Sequence, residues 1–368
     1  MMKVCVLSMH RIINYGSFLQ AYALKQLLLQ NGAEQVSFID IKPGKHLKGW
    51  DPTTLKYRLG RLWYFIRLAL QGRLVERMQD KKHFHKIQAC LCGHYRLLEI
   101  DESPAADYQL AVIGSDEVFN CCQISQWGYT PQLYGDIPEA DRVISYAGSF
   151  GHTQYEQLVS LGIDREIGQT LKSVSAISVR DQNSAHIVHR LTGIRPHLHL
   201  DPVLIYGYSR EIEQAPRPAL ENYIVVYAYH GRIHDKTEIQ AIRNFAAAHK
   251  KTLVSFTYYA WCDQVIVPST PFDVFAWFRQ ADYVITDTFH GTIFSVITRR
   301  PFATLIRPSN RNKITSLLES LCLSEKGIYD PAQLAETLTA GWDHTKVEQI
   351  LTAERKRSND FLSSVLQQ

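Results

Sequence analysis

A polar turn between an apolar strand and an apolar helix offers the clearest chemistry in this sequence. Residues 281–295 (ADYVITDTFHGTIFS) predict a buried strand at Tyr283–Thr286, a turn at 286–291 and a helix at 292–298. Such a turn lies at the carboxyl edge of a sheet, where open α/β folds bind ligands. The start of the helix presents unpaired N–H groups and a partial positive charge, which favour phosphate or carboxylate. His290 stands at the mouth of this predicted anion site.

Three other predicted strands also end in small and polar residues. Apolar runs at 110–113, 143–146 and 175–179 are followed at once by Gly114-Ser115-Asp116, Ala147-Gly148-Ser149 and Arg180-Asp181. Because the carboxyl ends of parallel strands meet at one edge of a sheet, these side chains are expected to line a common cleft.

The elements that must position these residues form two alternating series of strands and helices. The first series begins with a strand at 4–9, a tight loop at 14–17, a helix at 18–30 and a strand at 35–41. The second follows a proline-containing connection and runs from a strand at 223–229 to a strand at 302–306. This alternation is typical of parallel sheets. It predicts an α/β protein of two Rossmann-like, doubly wound domains with a ligand cleft between them.

The two series set the predicted domain boundaries. Residues 1–205 form an N-terminal Rossmann-like domain with a basic helical insertion at about 42–100, and residues 206–330 form a second Rossmann-like domain. Residues 331–368 add helices that are expected to pack back on the first domain. A chain of 368 residues exceeds the usual size of a single core, which agrees with two domains.

Composition and local sequence narrow the class of protein. Hydrophobic residues make up 45% of the chain and charged residues 21%, which is typical of a globular protein and not of a disordered one. The first residues, MMKVCVLSMHR, do not resemble a signal peptide and no apolar run of about 18 residues follows, so we expect a cytoplasmic protein. The seven cysteines include no C-x-x-C pair, which argues against a disulfide framework and a zinc site. Cys90 and Cys92 lie near three histidines, so a metal site there stays an alternative.

The net positive charge of the chain comes from one segment. Residues 42–96 hold thirteen Lys and Arg against three acidic residues, a local charge of +10, whereas the rest of the chain sums to −6. Within it, residues 57–78 interleave Arg with Leu, Trp, Tyr and Phe at roughly helical spacing, as basic amphipathic helices do. Two interpretations stay open: a helical hairpin packed on the protein with its Arg side chains reaching outward, or a peripheral contact with a membrane. Nucleic acid is not expected as a partner, because no binding motif accompanies the segment.

Six segments of the chain resemble the polysaccharide pyruvyl transferase family, in the family's order. They are NYGSFLQAYAL (14–24), VIGSDEVFN (112–120), SYAGSFG (145–151), ISVRD (177–181), LDPVLI (200–205) and TDTFHGTIFS (286–295). The resemblance covers about residues 3–321. It implies a GT-B-like pair of Rossmann-type domains. It also implies an enzyme of bacterial cell-surface polysaccharide (exopolysaccharide) biosynthesis that moves the pyruvyl group of phosphoenolpyruvate onto two hydroxyls of a sugar, forming a cyclic ketal.

The resemblance places the phosphoenolpyruvate side on the second domain and the acceptor side on the first. Phosphoenolpyruvate carries a carboxylate and a phosphate, groups that a guanidinium and the N–H groups of a helix start bind. The predicted phosphoenolpyruvate site comprises Arg180, Thr288, Phe289, His290, Gly291, Thr292, Arg311 and Lys313. Within it, His290 is assigned to proton transfer or to the leaving phosphate and Arg180 to charge stabilisation, as the catalytic residues. The predicted acceptor site comprises Asn14, Tyr15, Gly16, Ser115, Asp116, Tyr146 and Ser149.

The same scheme predicts the partners of the enzyme. The acceptor is a sugar or a lipid-linked oligosaccharide, which would bring the basic segment near the inner face of the membrane. The reaction demands no metal, nucleotide or redox cofactor. The sequence contains neither G-x-G-x-x-G nor G-x-x-x-x-G-K-[ST], so a dinucleotide or P-loop site loses its support.

One position departs from the family pattern. Many members have Arg-Leu-His where this chain has Thr288-Phe289-His290. The missing guanidinium must be supplied elsewhere, or the ligand differs. Arg311 and Lys313 follow the next strand and are the residues expected to compensate.

Two alternative functions stay open on the sequence. A GT-B glycosyltransferase that uses a nucleotide sugar would share the architecture, and a catalytically inactive binding subunit of polysaccharide assembly would tolerate Thr288. Binding of phosphoenolpyruvate and turnover would separate them. His230, which follows the strand at 223–229, is expected to be structural.

Overall fold

Apolar runs in the first half of the chain form a parallel sheet. Its strands are β1 (Lys3–Leu7), β2 (Gln35–Ile39), β3 (Ile100–Asp101), β4 (Leu110–Asp116), β5 (Val143–Gly148), β6 (Ser178–Val179) and β7 (His197–Leu198). They lie side by side in the order β3-β2-β1-β4-β5-β6-β7. The computed structural model describes residues 2–47, 74–104, 107–123 and 127–368.

The second half of the chain repeats this design with six strands. They are β8 (Tyr223–Tyr227), β9 (Thr252–Ser255), β10 (Gln264–Val265), β11 (Tyr283–Thr286), β12 (Phe302–Leu305) and β13 (Gly327–Ile328), and they pair in parallel in the order β10-β9-β8-β11-β12-β13. Both sheets therefore contain the strand order 3-2-1-4-5-6 of Rossmann folds, with β7 added at the edge of the first. The predicted α/β, GT-B-like fold of two Rossmann-like domains is confirmed.

Alternation along the strands shows that both faces of each sheet are covered. Val4 belongs to one apolar cluster and its neighbour Cys5 to another on the opposite face. In the second sheet, Val225 and Ile224 divide in the same way. The cluster that contains Val4 also contains Val225, so the two domains share one continuous apolar core between them. This shared core holds the carboxyl ends of the two sheets close to one another.

Helices cover the sheets and connect their strands. They are α1 (Tyr15–Gln30), α2 (Leu74–Gly93), α3 (Tyr155–Ser160), α4 (Asp164–Leu171), α5 (Gln182–Thr192), α6 (Pro202–Tyr206), α7 (Ser209–Gln214), α8 (Lys236–Ala248), α9 (Asp273–Gln280), α10 (Phe289–Ile297), α11 (Arg311–Ser320), α12 (Leu334–Thr339) and α13 (His344–Leu366). The last helix returns to the first domain. There Asn31 donates to Asn359 at 3.0 Å and Arg142 donates to Gln368 at 2.9 Å.

Two helices begin earlier than the sequence predicted. Helix α1 starts at Tyr15 and not at residue 18, because the Asn14 side chain caps it by accepting the Gly16 N–H at 2.6 Å. Helix α10 starts at Phe289 and not at residue 292, with Thr288 as its cap. Short polar side chains cap helices in this way because they satisfy N–H groups that have no partner within the helix. Both predicted turns are therefore first helical turns.

The basic insertion lies partly outside the described residues. Residues 48–73, which hold most of the predicted amphipathic segment 57–78, are not described, and α2 (Leu74–Gly93) is. Helix α2 reaches the second domain, where the Nε2–H of His83 donates to the Phe256 carbonyl at 2.9 Å. None of the helices within the described ranges has both the length and the apolar character that a bilayer span requires.

Candidate active site

The turn that the sequence singled out brings His290 into the cleft on a capped helix. Thr286 ends β11, and its hydroxyl donates to the Tyr227 carbonyl at 2.6 Å. Thr288 then takes extended backbone angles, and its hydroxyl accepts the Gly291 N–H at 2.8 Å. The Thr292 N–H donates to the Thr288 carbonyl at 3.2 Å. The Gly291 and Thr292 N–H groups are thus already bonded, which corrects the prediction that they hold an anion.

His290 lies between the two domains. Its side chain is 5% exposed, and its Nε2 lies 3.7 Å from Oδ2 of Asp201, too far for a normal hydrogen bond. Nε2 has no hydrogen-bond partner among the described residues. On the other side, a Cβ on Gly16 would lie 2.4 Å from Cγ of the imidazole. Gly16 therefore makes room for His290, a role different from the predicted contact with an acceptor.

Arg180 is buried beside His290. Its Nη1–H donates to Oδ2 of Asp201 at 2.9 Å, and its Nη2 lies 3.8 Å from Oδ1 of Asp116. The guanidinium stacks over the ring of Phe289 at 4.0 Å, an arrangement in which the ring face stabilises the cation. Among the described residues, Nε and Nη2 have no hydrogen-bond partner. The predicted pair, Arg180 and His290, thus both lie near Oδ2 of Asp201, and each side chain has buried nitrogen without a hydrogen-bond partner among the described residues.

Asp201 joins the two catalytic candidates and was missed as a site residue. It is fully buried, and its carboxylate also accepts the Val203 N–H at 3.0 Å and the Ser115 hydroxyl at 3.3 Å. Burial raises its pKa, but the neighbouring His290 and Arg180 lower it by more, to about 2. The signal was present, because Asp201 is the acidic residue of the LDPVLI segment (200–205). Its position before a proline made it look like part of a connection.

A half-buried ion pair crosses the cleft next to this group. Nζ of Lys313 on α11 lies 2.6 Å from Oε1 of Glu117, which follows β4. Burial raises the pKa of Glu117, but Lys313 and neighbouring polar groups together lower it by more, to about 2. Arg311 is exposed, and its guanidinium lies 5.6 Å from the ring of Tyr329, away from the cluster. Of the two residues predicted to replace the missing guanidinium, Lys313 reaches the cleft and Arg311 does not.

Most of the predicted acceptor residues support the site from behind. Ser115, Tyr146 and Ser149 are fully buried. The Ser149 hydroxyl donates to Asp181 at 2.6 Å, and the Tyr146 ring stacks on His199. Side chains with no exposed surface cannot contact a sugar in this arrangement, which corrects their predicted role.

The remaining acceptor residues lie nearer the cleft. Asn14 is half-buried and caps α1. Tyr15 is 3% exposed, and its hydroxyl has no hydrogen-bond partner among the described residues. Asp116 is half-buried and accepts the Ser17 hydroxyl at 3.1 Å.

Arg307 is a second residue that the sequence analysis missed. Its Nε–H donates to Asp287 at 3.0 Å, and its two terminal nitrogens donate to Glu238, also at 3.0 Å. These bonds hold the end of β12 against the start of α8.

The segment near Cys90 and Cys92 was the alternative metal site. There the ring of His94 donates to the Cys90 carbonyl at 2.7 Å.

The cluster formed by Arg180, Asp201, His290, Glu117 and Lys313 suits a small anion. Two cations and an imidazole face one another across the cleft, and three of their nitrogen atoms, Nε and Nη2 of Arg180 and Nε2 of His290, lack partners among the described residues. An anion with several oxygens could accept from these atoms. We call this group of five residues the charged cluster.

The chain thus has two Rossmann-type domains with the charged cluster between their sheets. The model of the family described as polysaccharide pyruvyl transferase matches residues 14–309, most of the chain. The chain therefore belongs to the polysaccharide pyruvyl transferase family. No match is found among curated proteins.

Solved structures of other enzymes resemble the chain only distantly. UDP-GlcNAc 2-epimerase from Methanocaldococcus jannaschii is 10% identical with a TM-score of 0.48, covering 96% of this chain and 99% of its own. The enzyme of that name from Neisseria meningitidis is 9% identical with a TM-score of 0.45, covering 98% and 94%. UGT2 of Phytolacca americana is 10% identical with a TM-score of 0.42, covering 98% and 94%. Likenesses this weak say nothing about the substrate.

Proposed function

We propose that this enzyme transfers the pyruvyl group of phosphoenolpyruvate to two hydroxyls of a sugar and forms a cyclic ketal. The observation that supports this best is the set of buried nitrogen atoms without partners on Arg180 and His290. Leaving a buried donor unpaired costs about 1–3 kcal/mol, so an anion that accepts from these atoms is favoured. Phosphoenolpyruvate offers carboxylate and phosphate oxygens, and Lys313 adds a positive charge from the second domain.

The chemistry needs a proton donor and charge stabilisation. The methylene carbon of phosphoenolpyruvate gains a proton and becomes a methyl group, while a first sugar hydroxyl loses its proton and bonds to the central carbon. The second hydroxyl then bonds to the same carbon and phosphate leaves with the remaining proton. In this proposal His290 transfers a proton or assists the leaving phosphate, and Arg180 stabilises the developing charge.

The departure from the family pattern at Thr288 is compatible with this proposal. The threonine caps α10 and thereby sets the position of His290, a task that does not need a guanidinium. Lys313 supplies the second cation of the cleft, paired with Glu117 in this structure. Binding of phosphoenolpyruvate would offer Lys313 a phosphate in place of the Glu117 carboxylate.

The setting that fits this reaction is the synthesis of a bacterial cell-surface polysaccharide. We propose a cytoplasmic enzyme whose acceptor is a sugar or a lipid-linked oligosaccharide. Residues 42–96 are proposed to make a peripheral contact with the inner face of the membrane. No metal, nucleotide or redox cofactor is part of the proposal.

Thermal unfolding with phosphoenolpyruvate tests the donor. A ligand at 100 times its dissociation constant adds about 2.7 kcal/mol to the free energy of unfolding. Arg180→Ala should weaken binding by roughly 1.5–3 kcal/mol, the scale of hydrogen bonds to charged groups. Arg180→Lys keeps a positive charge beside Asp201 but loses the planar fork, so it should fold normally and still bind weakly. Arg311→Ala is the matched control, because Arg311 points away from the charged cluster.

The outcomes of this titration distinguish the three candidate functions. Stabilisation of the wild type and of Arg311→Ala, lost in both Arg180 variants, supports phosphoenolpyruvate as the donor. Stabilisation by nucleotide sugars alone would make the protein a glycosyltransferase. Binding of phosphoenolpyruvate with no phosphate released in the presence of any acceptor would point to an inactive binding subunit.

A further inference from the structure

An aromatic pocket opens beside the charged cluster. Its cavity volume is about 200 Å³, and the cavity is partly open to solvent. Its aromatic lining residues are Tyr15, Phe84, Tyr227, Tyr229, Phe256 and Tyr258. Thr288, the cap of α10, also lines it, as does Asn14, the cap of α1. The pocket therefore adjoins the start of α10, the helix that carries His290.

Helix α2 forms the opposite wall of this pocket. Asp80, His83, Phe84 and Ile87 all line it, and their spacing places them on one face of the helix. His83 fixes this face to the second domain through its bond to the Phe256 carbonyl at 2.9 Å. Tyr258 adds a second attachment by donating to Gln79. The insertion thus closes a pocket that the two Rossmann domains alone would leave open on one side.

A histidine and a carboxylate meet across the pocket. Nδ1 of His230, after β8, lies 2.9 Å from Oδ1 of Asp80 on α2. The other carboxylate oxygen of Asp80 accepts from Arg77 at 2.5 Å, which holds the carboxylate in place. With Nδ1–H donated to Asp80, the Nε2 of His230 is left as an acceptor. The His230 side chain is 56% exposed, so a ligand in the pocket can reach it.

The lining chemistry favours a neutral polyol over an anion. None of the described residues that line the pocket is a Lys or an Arg, and Asp80 supplies a negative charge. A phosphate would find no cation among these lining residues, whereas sugar hydroxyls can donate to Asp80 and His230 and exchange hydrogen bonds with Thr257. The aromatic rings provide large, rigid apolar faces for the carbon skeleton of a sugar ring.

We propose that α2 and the ends of β8 and β9 form the acceptor subsite of this enzyme, in which a neutral sugar ring packs on Phe84 and Tyr258 and hydrogen-bonds to the Asp80–His230 pair. This proposal rests on the proposed function, because the pocket matters for transfer only through its neighbour, the charged cluster. It makes Phe84 and His230 determinants of acceptor choice that this chain's own insertion completes. Asp80 acts as a positioning residue by orienting His230.

Saturation-transfer NMR with p-nitrophenyl glucoside, galactoside and mannoside tests the subsite without requiring turnover. At least one hexoside should bind the wild type, and Phe84→Ala and His230→Ala should each weaken it about tenfold. Met78→Ala is the matched control, since Met78 lies on the same helix, is 71% exposed and does not line the pocket. Asp80→Asn keeps the shape of the pocket but removes the carboxylate that orients His230, so it should weaken hexoside binding relative to Met78→Ala.

The same samples distinguish failure of this proposal from failure of the proposed function. Each variant is titrated with phosphoenolpyruvate by thermal unfolding, and the pocket variants should keep the stabilisation of the wild type. Hexoside binding without any stabilisation by phosphoenolpyruvate would leave the sugar subsite standing and remove pyruvyl transfer. Stabilisation by phosphoenolpyruvate with no hexoside bound, with hexoside binding unchanged in Phe84→Ala and His230→Ala, or with uridine displacing the hexoside would overturn the subsite.

Discussion

The charged cluster and the aromatic pocket lie next to one another and differ in their charged groups. In the cluster, Arg180 is buried and Lys313 half-buried, both are paired with carboxylates, and Asp201 has no exposed surface. In the pocket, the walls are aromatic and the Asp80–His230 pair is open to solvent on its histidine side. A reaction between a polyanion and a neutral diol needs both environments next to one another. The difference therefore suggests which substrate belongs on which side, and each prediction below probes it.

His290→Ala should have the largest effect and should spare the aromatic pocket. If His290 transfers a proton, its loss costs roughly 10²–10⁴ in turnover, with a smaller loss of phosphoenolpyruvate binding. Phosphate release under single-turnover conditions measures the first quantity, and thermal unfolding measures the second. His186→Ala, an exposed histidine on α5, is the control. Equal losses in turnover and binding would make His290 a binding residue.

Gly16→Ala should disturb the charged cluster from the side of the first domain. The new Cβ would lie 2.4 Å from Cγ and Nδ1 of the His290 ring, so the imidazole must move. A displacement of about 1 Å in a catalytic group can lower the rate by about 10²-fold. We expect such a loss of turnover with unchanged hexoside binding in the pocket. Gly341→Ala is the control, because a Cβ there would meet nothing within 4 Å.

Acid should weaken the charged cluster through Glu117. Burial raises the pKa of this carboxyl, and Lys313, Asn120 and Arg180 together lower it by more, to about 2 from a usual value of 4.5. A group whose pKa is lower in the folded state stabilises the fold above its unfolded pKa and loses that contribution as the pH falls toward its folded pKa. Between about pH 6 and pH 3 this amounts to roughly 2 kcal/mol.

Urea denaturation at these two pH values measures the effect. Glu117→Gln has no carboxyl to titrate at this position, so its free energy of unfolding should fall less than that of the wild type. Asp201, whose pKa is also about 2, titrates in both proteins and cancels from the comparison. Parallel pH curves for wild type and Glu117→Gln would show that the ion pair to Lys313 does not stabilise the fold.

The sequence predicted the charged side of this comparison better than the aromatic side. Arg180 and His290 follow apolar strands directly, and parallel strands bring such positions to one edge, so local pattern was enough to place them in one cleft. Asp201 and Glu117 also follow strands, but nothing local shows that they pair with Arg180 and Lys313, which are 21 and 196 residues away in the sequence. Asp201 and Arg180 pair within the first domain, at the ends of neighbouring strands. The pair of Glu117 and Lys313 crosses the cleft, so it depends on how the two domains meet.

The aromatic pocket was hidden for the same reason. His230 was expected to be structural from its place after a strand, and nothing local shows its partner Asp80, which lies about 150 residues away in the insertion. Tyr146 and Ser149 also lie at the end of a strand, as Arg180 does. Their side chains point into the protein, where they contact His199 and Asp181 respectively. A strand-end position predicts proximity to the cleft, and packing decides whether the side chain faces it.

The face of α2 that does not line the pocket is proposed to contact the membrane, and changes on this face have the smallest expected effect. The pocket face carries Asp80 and Phe84, whereas Val75 and Met78, exposed by 64% and 71%, flank exposed Lys81 and Lys82. Each lysine near anionic lipid adds about 1 kcal/mol, so the protein should sediment with phosphatidylserine vesicles at low salt and not with phosphatidylcholine vesicles. Val75→Asp combined with Met78→Asp should reduce sedimentation several-fold and leave hexoside binding unchanged, because these side chains do not line the pocket. If the wild type fails to sediment at low salt, α2 serves the acceptor alone and the peripheral contact is wrong.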